Sequence, residues 1–146
     1  MNRRFAWIAA LVALVAAAAL SVAPASLAAL APLGGAKGQA TLNACDAASG
    51  ANGFVKWDVA KLEVNVTIPT LKGQLATLDA RYLQNGVVNR LKQDFTVAPD
   101  GRAVLKFEGA AVPQGSLARV DIINPAAPLT DPFGGHVLTT AALPCA

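Results

Sequence analysis

Residues 62–68 alternate without a break. Leu62, Val64, Val66 and Ile68 are apolar, and Glu63, Asn65 and Thr67 are polar. Successive side chains of a strand point to opposite faces, so this run specifies a strand with one face in a core and one in water. A helix could not bury that set, because its apolar positions recur every three to four residues. Pro69 closes the run, where a ladder donor is no longer needed. Upstream, Val55, Trp57 and Val59 alternate with Lys56, Asp58 and Ala60. The parity then shifts, which implies a bulge or a short bend near Ala60.

Residues 95–107 carry the clearest reversal. Two runs rich in aromatic and β-branched residues flank Pro99-Asp100-Gly101. Proline presets φ, aspartate bonds back to nearby backbone and glycine accepts positive φ, so the segment is predicted to be a β-hairpin. Residues 71–83 fit two periods. Leu71, Leu75, Leu78 and Tyr82 share a helical face, whereas Ala76, Leu78, Ala80 and Tyr82 alternate with Thr77, Asp79 and Arg81 as in a strand. The strand is preferred because both neighbours read as strands. Asn85-Gly86 then becomes a hairpin turn into residues 87–97, whose inner face is interrupted by Asn89 and Gln93, as in an edge or a loop. Leu117, Arg119, Asp121 and Ile123 share one face of a further strand, and residues 136–140 form a short last one. About seven strands with turn signals between them predict an all-β chain over residues 39–146, in the pattern of a sandwich or a barrel.

The N-terminus has a different character. From residue 5 to residue 33 nearly every residue is Ala, Leu, Val, Ile, Phe or Trp, and Arg3 and Arg4 precede the run. A basic head, an apolar stretch and a tail of small residues make residues 1–28 a signal peptide forming an N-terminal signal helix. Ser26-Leu27-Ala28 is the preferred cleavage motif and Ala23-Pro24-Ala25 its competitor. Residues 29–38 then form a flexible leader. The alternative is an uncleaved anchor, since the run exceeds the roughly 20 residues a spanning helix needs. The segment inflates the composition. The chain is 54% hydrophobic with net charge +3, but loss of Arg3 and Arg4 leaves ten basic residues against nine acidic, a net charge of +1. The remaining Lys and Arg are scattered singly, which gives no footprint for nucleic acid.

Cys45 and Cys145 are the only cysteines. An even count in an exported chain argues for a disulfide. In the chain-entropy model a loop of ~100 residues is worth about 4.7 kcal/mol, which rivals the net stability of a small domain, about 5–15 kcal/mol. Two Cys and one His are too few ligands for a structural metal site, and a redox pair usually sits close in sequence. Leu42-Asn43-Ala44-Cys45 resembles a lipobox faintly, but lies too far beyond the apolar run.

Taken together, the alternating run ending at Tyr82, the Asn-Gly turn, the polar-rich strand, Val97-Ala98-Pro99-Asp100-Gly101-Arg102 and the strand 117–123 resemble bacterial immunoglobulin-like and carboxypeptidase-regulatory-like modules over about residues 62–123. That resemblance implies a single antiparallel β-sandwich of about seven strands, immunoglobulin-like, exported and used for adhesion, spacing or ligand binding, normally without catalysis. It transfers no site residues.

Sites of chemistry are sparse. His136 is the single histidine, and no Gly-X-Ser-X-Gly elbow accompanies it. The nine acids mostly fall beside basic residues, Asp79 with Arg81 among them, as on an ordinary solvated strand face. Asp121 is expected to be partly buried in an ion pair. Asp46 to Gly53 is a turn-rich loop with too few carboxylates for calcium. Trp57, Tyr82 and Phe133 are the aromatic candidates for a binding surface; the alternative is core, as Trp57 between wet Lys56 and Asp58 suggests, and Phe133, between Pro132 and Gly134, is the one expected to be partly exposed. The expected function is an exported, non-catalytic module, secreted or periplasmic, without cofactor or metal. It would bind a protein or glycan outside the cytoplasm through Asp131, Phe133 and His136, and touch a membrane only if the N-terminal helix is retained. The alternatives are a small secreted enzyme or enzyme inhibitor working through loop 125–136, and a membrane-tethered spacer.

Overall fold

The computed structural model describes residues 30–145; the signal segment lies outside the described residues. Eight strands follow in order: β1 (Gly38–Ala44), β2 (Asn52–Asp58), β3 (Lys61–Thr67), β4 (Leu75–Gln84), β5 (Val87–Thr96), β6 (Arg102–Glu108), β7 (Ser116–Ile123) and β8 (His136–Thr139). They form one continuous antiparallel sheet, nearly closed into a barrel, in the order β5-β4-β7-β8-β1-β2-β3-β6. The chain is therefore all-β, with eight strands where about seven were expected.

The alternating pattern works as read. Leu62, Val64 and Val66 of β3 are buried, and so are Val55 and Trp57 of β2. The parity shift at Ala60 is a full reversal: Asp58 pairs with Lys61 across a two-residue turn in which Ala60 has φ 55°. Residues 75–84 are strand, with Ala76, Leu78, Ala80 and Tyr82 on the core side. Asn85 and Gly86 both take positive φ, 51° and 78°, as a type I′ hairpin requires. β5 is an edge strand, which explains why its inward parity tolerates the exposed Gln93.

The expected hairpin over residues 95–107 does not form. The turn itself is present: the Gly101 amide donates to the Ala98 carbonyl at 2.8 Å, and Asp100 Oδ1 accepts from the Arg102 amide. The arms then part. β5 pairs with β4 and β6 with β3, at opposite ends of the sheet. The two sides of the turn are anchored to different segments, Ile68 N–H donating to Gly101 and Val97 N–H to Gln74. Val97 is fully buried between them. Local turn chemistry was satisfied, and tertiary pairing chose other partners.

β1 joins the two halves of the sheet. Its residues 38–42 pair with β2, and Asn43 and Ala44 pair with β8. Cys45 follows, its N–H donating to the Val137 carbonyl at 3.0 Å. The Cys45–Cys145 disulfide closes there with a Cα–Cα distance of 5.5 Å, within the usual range. Both halves contribute to one core, with Leu42, Val55, Leu62 and Val64 from one side and Leu78, Val120, Ile122 and Leu138 from the other. A bulge in β7 opposes Arg81 to Arg119 but Tyr82 to Leu117. Leu117 consequently turns into the core, away from the face it was expected to share with Arg119 and Asp121. Upstream of β1, the Leu33 amide donates to the Leu117 carbonyl and Trp57 Nε1 donates to the Gly35 carbonyl.

Replacing Cys45 and Cys145 together by serine is expected to lower unfolding free energy by about 2–5 kcal/mol. Urea titration would show an earlier midpoint and a larger slope, because the unfolded chain expands. The exposed Val104→Ala change should move the midpoint by less than about 0.5 kcal/mol equivalent. An unshifted midpoint in the double serine variant would mean that the β1–β8 ladder alone secures the C-terminal tail.

Candidate functional site

The chain between β7 and β8 builds a compact loop from its own polar side chains. Asn124 Oδ1 accepts from the Ala126 amide, and Asp131 Oδ2 accepts from the Gly135 amide at 2.6 Å. The Phe133 carbonyl accepts from the His136 amide and lies 3.0 Å from His136 Nδ1. Gly135 has φ 83°, and a Cβ there would stand 3.0 Å from the Asn124 carbonyl oxygen, so close approach and backbone sign both call for glycine. Asp131, Phe133 and His136 come to one shallow cleft of about 340 Å³, which Asp46, Ser49 and Thr70 also line. All three are half-buried.

The chemistry of this cleft is largely committed. Asp131 spends an oxygen on Gly135, and no hydrogen bond joins it to His136 among the described residues. The Ser49 hydroxyl donates to the Asp46 carbonyl and accepts from the Ala51 amide. Asp46 in turn caps the single helical turn Ala47–Ser49 by accepting from the Ala48 amide. No group of three or more His, Cys, Asp or Glu side chains that could hold a metal occurs among the described residues.

A second constellation lies on the outer face of β5-β4-β7-β8. Asp79 stands opposite Asp121, and Arg81 stands between Arg90 and Arg119. Like charges directly opposite destabilise a sheet. Here the arginines bond along and across the strands instead. Arg90 grips both Asp79 oxygens through Nε and Nη2, and Arg81 Nη2 lies 3.2 Å from Asp79 Oδ2 and 3.7 Å from Asp121 Oδ2. Arg119 Nε donates to Asp121 Oδ2 at 2.7 Å, and the buried Thr139 hydroxyl donates to Asp121 Oδ1 at 2.6 Å. Both carboxylates are fully buried beneath these side chains. For Asp121 this is the structural ion pair expected. For Asp79 it corrects the solvated surface pair expected: register brings Arg90 from β5 over it. Burial pushes the Asp79 carboxyl up, but hydrogen bonds from Arg90 and Arg81, with their charges, outweigh it and hold the pKa below the ordinary value. A carboxylate so held cannot serve as a general acid near neutrality.

Trp57 and Tyr82 are buried in the core, but both also line a cleft at the other end of the strands, beside Gly35, the β2–β3 turn and residues 109–117. The outer face of β2-β3-β6 is a solvated ladder: Lys56, Glu63 and Lys106 lie in one row, and Asp58, Lys61 and Glu108 in the next. No family model, curated protein or solved structure matches the chain.

The Asp79 site carries a pH signature. Its folded pKa lies below the unfolded value near 3.8, so its contribution to stability is present above about pH 4 and is lost as pH falls through the lower folded value. Asp79→Asn is expected to cost about 1–3 kcal/mol at pH 7, because the arginines lose a charged acceptor. It should also flatten the fall in stability below pH 4, measured by urea unfolding across pH. A variant that still loses stability in acid as steeply as the parent would place the acid sensitivity elsewhere.

Proposed function

We propose that this chain is an exported, non-catalytic β-module that binds a protein or glycan outside the cytoplasm through the cleft of Asp131, Phe133 and His136. The carrying observation is the Cys45–Cys145 bond, which ties β1 to the C-terminus and suggests an oxidising compartment. The geometry of the cleft supports binding over catalysis: its carboxylates and the Ser49 hydroxyl hold turns, while Phe133 offers a half-exposed aromatic surface between them. An immunoglobulin-like sandwich is the finer fold reading. Setting β1 apart, β2-β3-β6 and β8-β7-β4-β5 make two groups between which the chain crosses after β3, β5 and β6. That Greek-key order supports it. Among the described residues no helix is long and apolar enough to cross a membrane, and the apolar run that would serve as an anchor lies mainly outside them.

Two measurements test this reading. Intact mass of the protein from separated cell fractions should show a soluble species beginning near Ala29, with both thiols unreactive until reduction. A full-length membrane-bound species, or two free thiols, would overturn the address. A photo-crosslinking residue placed at Phe133 should then yield a discrete adduct in the extracytoplasmic fraction that the same residue at Lys56 does not. Equal labelling from both positions would remove the cleft as the binding surface.

A further inference from the structure

A second site, independent of the Asp131–His136 surface, lies at the opposite end of the strands. It is a cleft of about 800 Å³, within the range of small-molecule sites. Trp57, Tyr82, Val112 and Leu117 supply its apolar wall, and glycine, alanine and Pro113 most of the remainder. Asp58 is the only charged residue lining it, and Lys37 pairs with Asp58 at 3.9 Å. Mouths of β-barrels are common ligand sites.

One group there is out of place. The Tyr82 hydroxyl is the single buried side-chain polar atom among the described residues without a hydrogen-bond partner. Tyr82 itself is 4% exposed. Leaving such a group unpaired is unfavourable by about 1–3 kcal/mol, and phenylalanine would fill the same space without that cost. Trp57 cannot supply the partner, because its indole N–H already donates to Gly35. Burial pushes the Tyr82 pKa up to about 12, so the hydroxyl keeps its proton at neutral pH and can donate it. The segment 109–115 forms part of the wall outside the sheet, together with Gly35, Ala36, Val59 and Ala60. It is held through Gln114, whose carbonyl accepts from Asn89 at 3.1 Å and whose side chain accepts from Gln84 at 3.3 Å.

We propose that this cleft binds an uncharged, flat, apolar small molecule carrying one carbonyl or ether oxygen, which accepts the hydrogen bond of the Tyr82 hydroxyl. The apolar wall selects against charge, the Trp57 ring offers area without a donor, and the hydroxyl sets orientation. The hydroxyl is sealed from water, so the ligand reaches it only when the wall around it parts.

Prodan, an uncharged naphthalene ketone, is a suitable probe because its emission reports both polarity and hydrogen bonding to its carbonyl. The purified protein is expected to bind it saturably, with energy transfer from Trp57. Tyr82→Phe should weaken binding by about tenfold and shift the bound emission to the blue, while leaving the melting temperature unchanged or higher. Ala110→Trp, which fills the cleft from an exposed position, should abolish binding in a folded protein. Absence of saturable binding overturns the proposal. So does binding that Tyr82→Phe leaves unchanged, and a fall in melting temperature in that variant without loss of binding would assign the hydroxyl a structural water.

Discussion

The double pairing of β1 is what makes one sheet out of two. Five of its residues belong to β2 and two to β8, and every other crossing between the halves is a loop or a turn. A two-residue ladder is a weak tie, and an isolated short pairing is marginal in water. The disulfide sits one residue beyond it and fixes the same junction covalently. Because a long-range cross-link acts mainly by restricting the unfolded chain, it stabilises this junction without having to improve any contact in it. The C-terminal tail is held by the same bond, which closes the sheet order at β8.

With that junction in place, the halves manage their outer faces differently. On β5-β4-β7-β8 the carboxylates of Asp79 and Asp121 lie under arginine side chains whose apolar stems cover the sheet. On β2-β3-β6 lysine and glutamate alternate in solvated rows. A buried ion pair is poor evidence of stability in itself, since desolvation opposes the attraction. Its effect here is on specificity: Asp79, Arg81, Arg119 and Asp121 fit together only in the observed β4–β7 register, and a slip of one residue would turn them into the core. Clefts occur on the outer face of β2-β3-β6, one of about 500 Å³ lined by Lys56, Lys61, Glu63 and Lys106 among others, as well as at the two loop ends.

How much of this was legible follows the range of each signal. Strand periodicity is local, and β3, β4 and the Asn85-Gly86 turn follow directly from it. The fate of residues 95–107 depended on which partners Leu91 and Leu105 would find, and no turn residue encodes that. The buried charges occupy an intermediate place. Asp79-X-Arg81 and Arg119-X-Asp121 are mirror-image pairs, and antiparallel register superposes them, so their association could have been read from the sequence once β4 and β7 were taken as neighbours. Arg90 could not, because its position over Asp79 follows from the hairpin register. In the candidate cleft, Asp131, Phe133 and His136 were singled out by composition. Their hydrogen bonds to neighbouring backbone are not visible there, and Trp57 and Tyr82, candidates for a binding surface on aromatic character, read as core.

The two ends differ in how they use polar groups, and that difference bears on what each can do. Around Asp131 and His136 the carboxylates and hydroxyl are occupied in making turns, so the polar chemistry of that end is spent on holding a shape. A binding surface of the proposed kind would recognise by fit and by the Phe133 ring. The Tyr82 hydroxyl is the opposite case. Nothing in the fold requires it, since the ring alone fills the core position and the oxygen is left unpaired. The proposed ligand would supply the missing partner from the apolar cleft that Tyr82 lines.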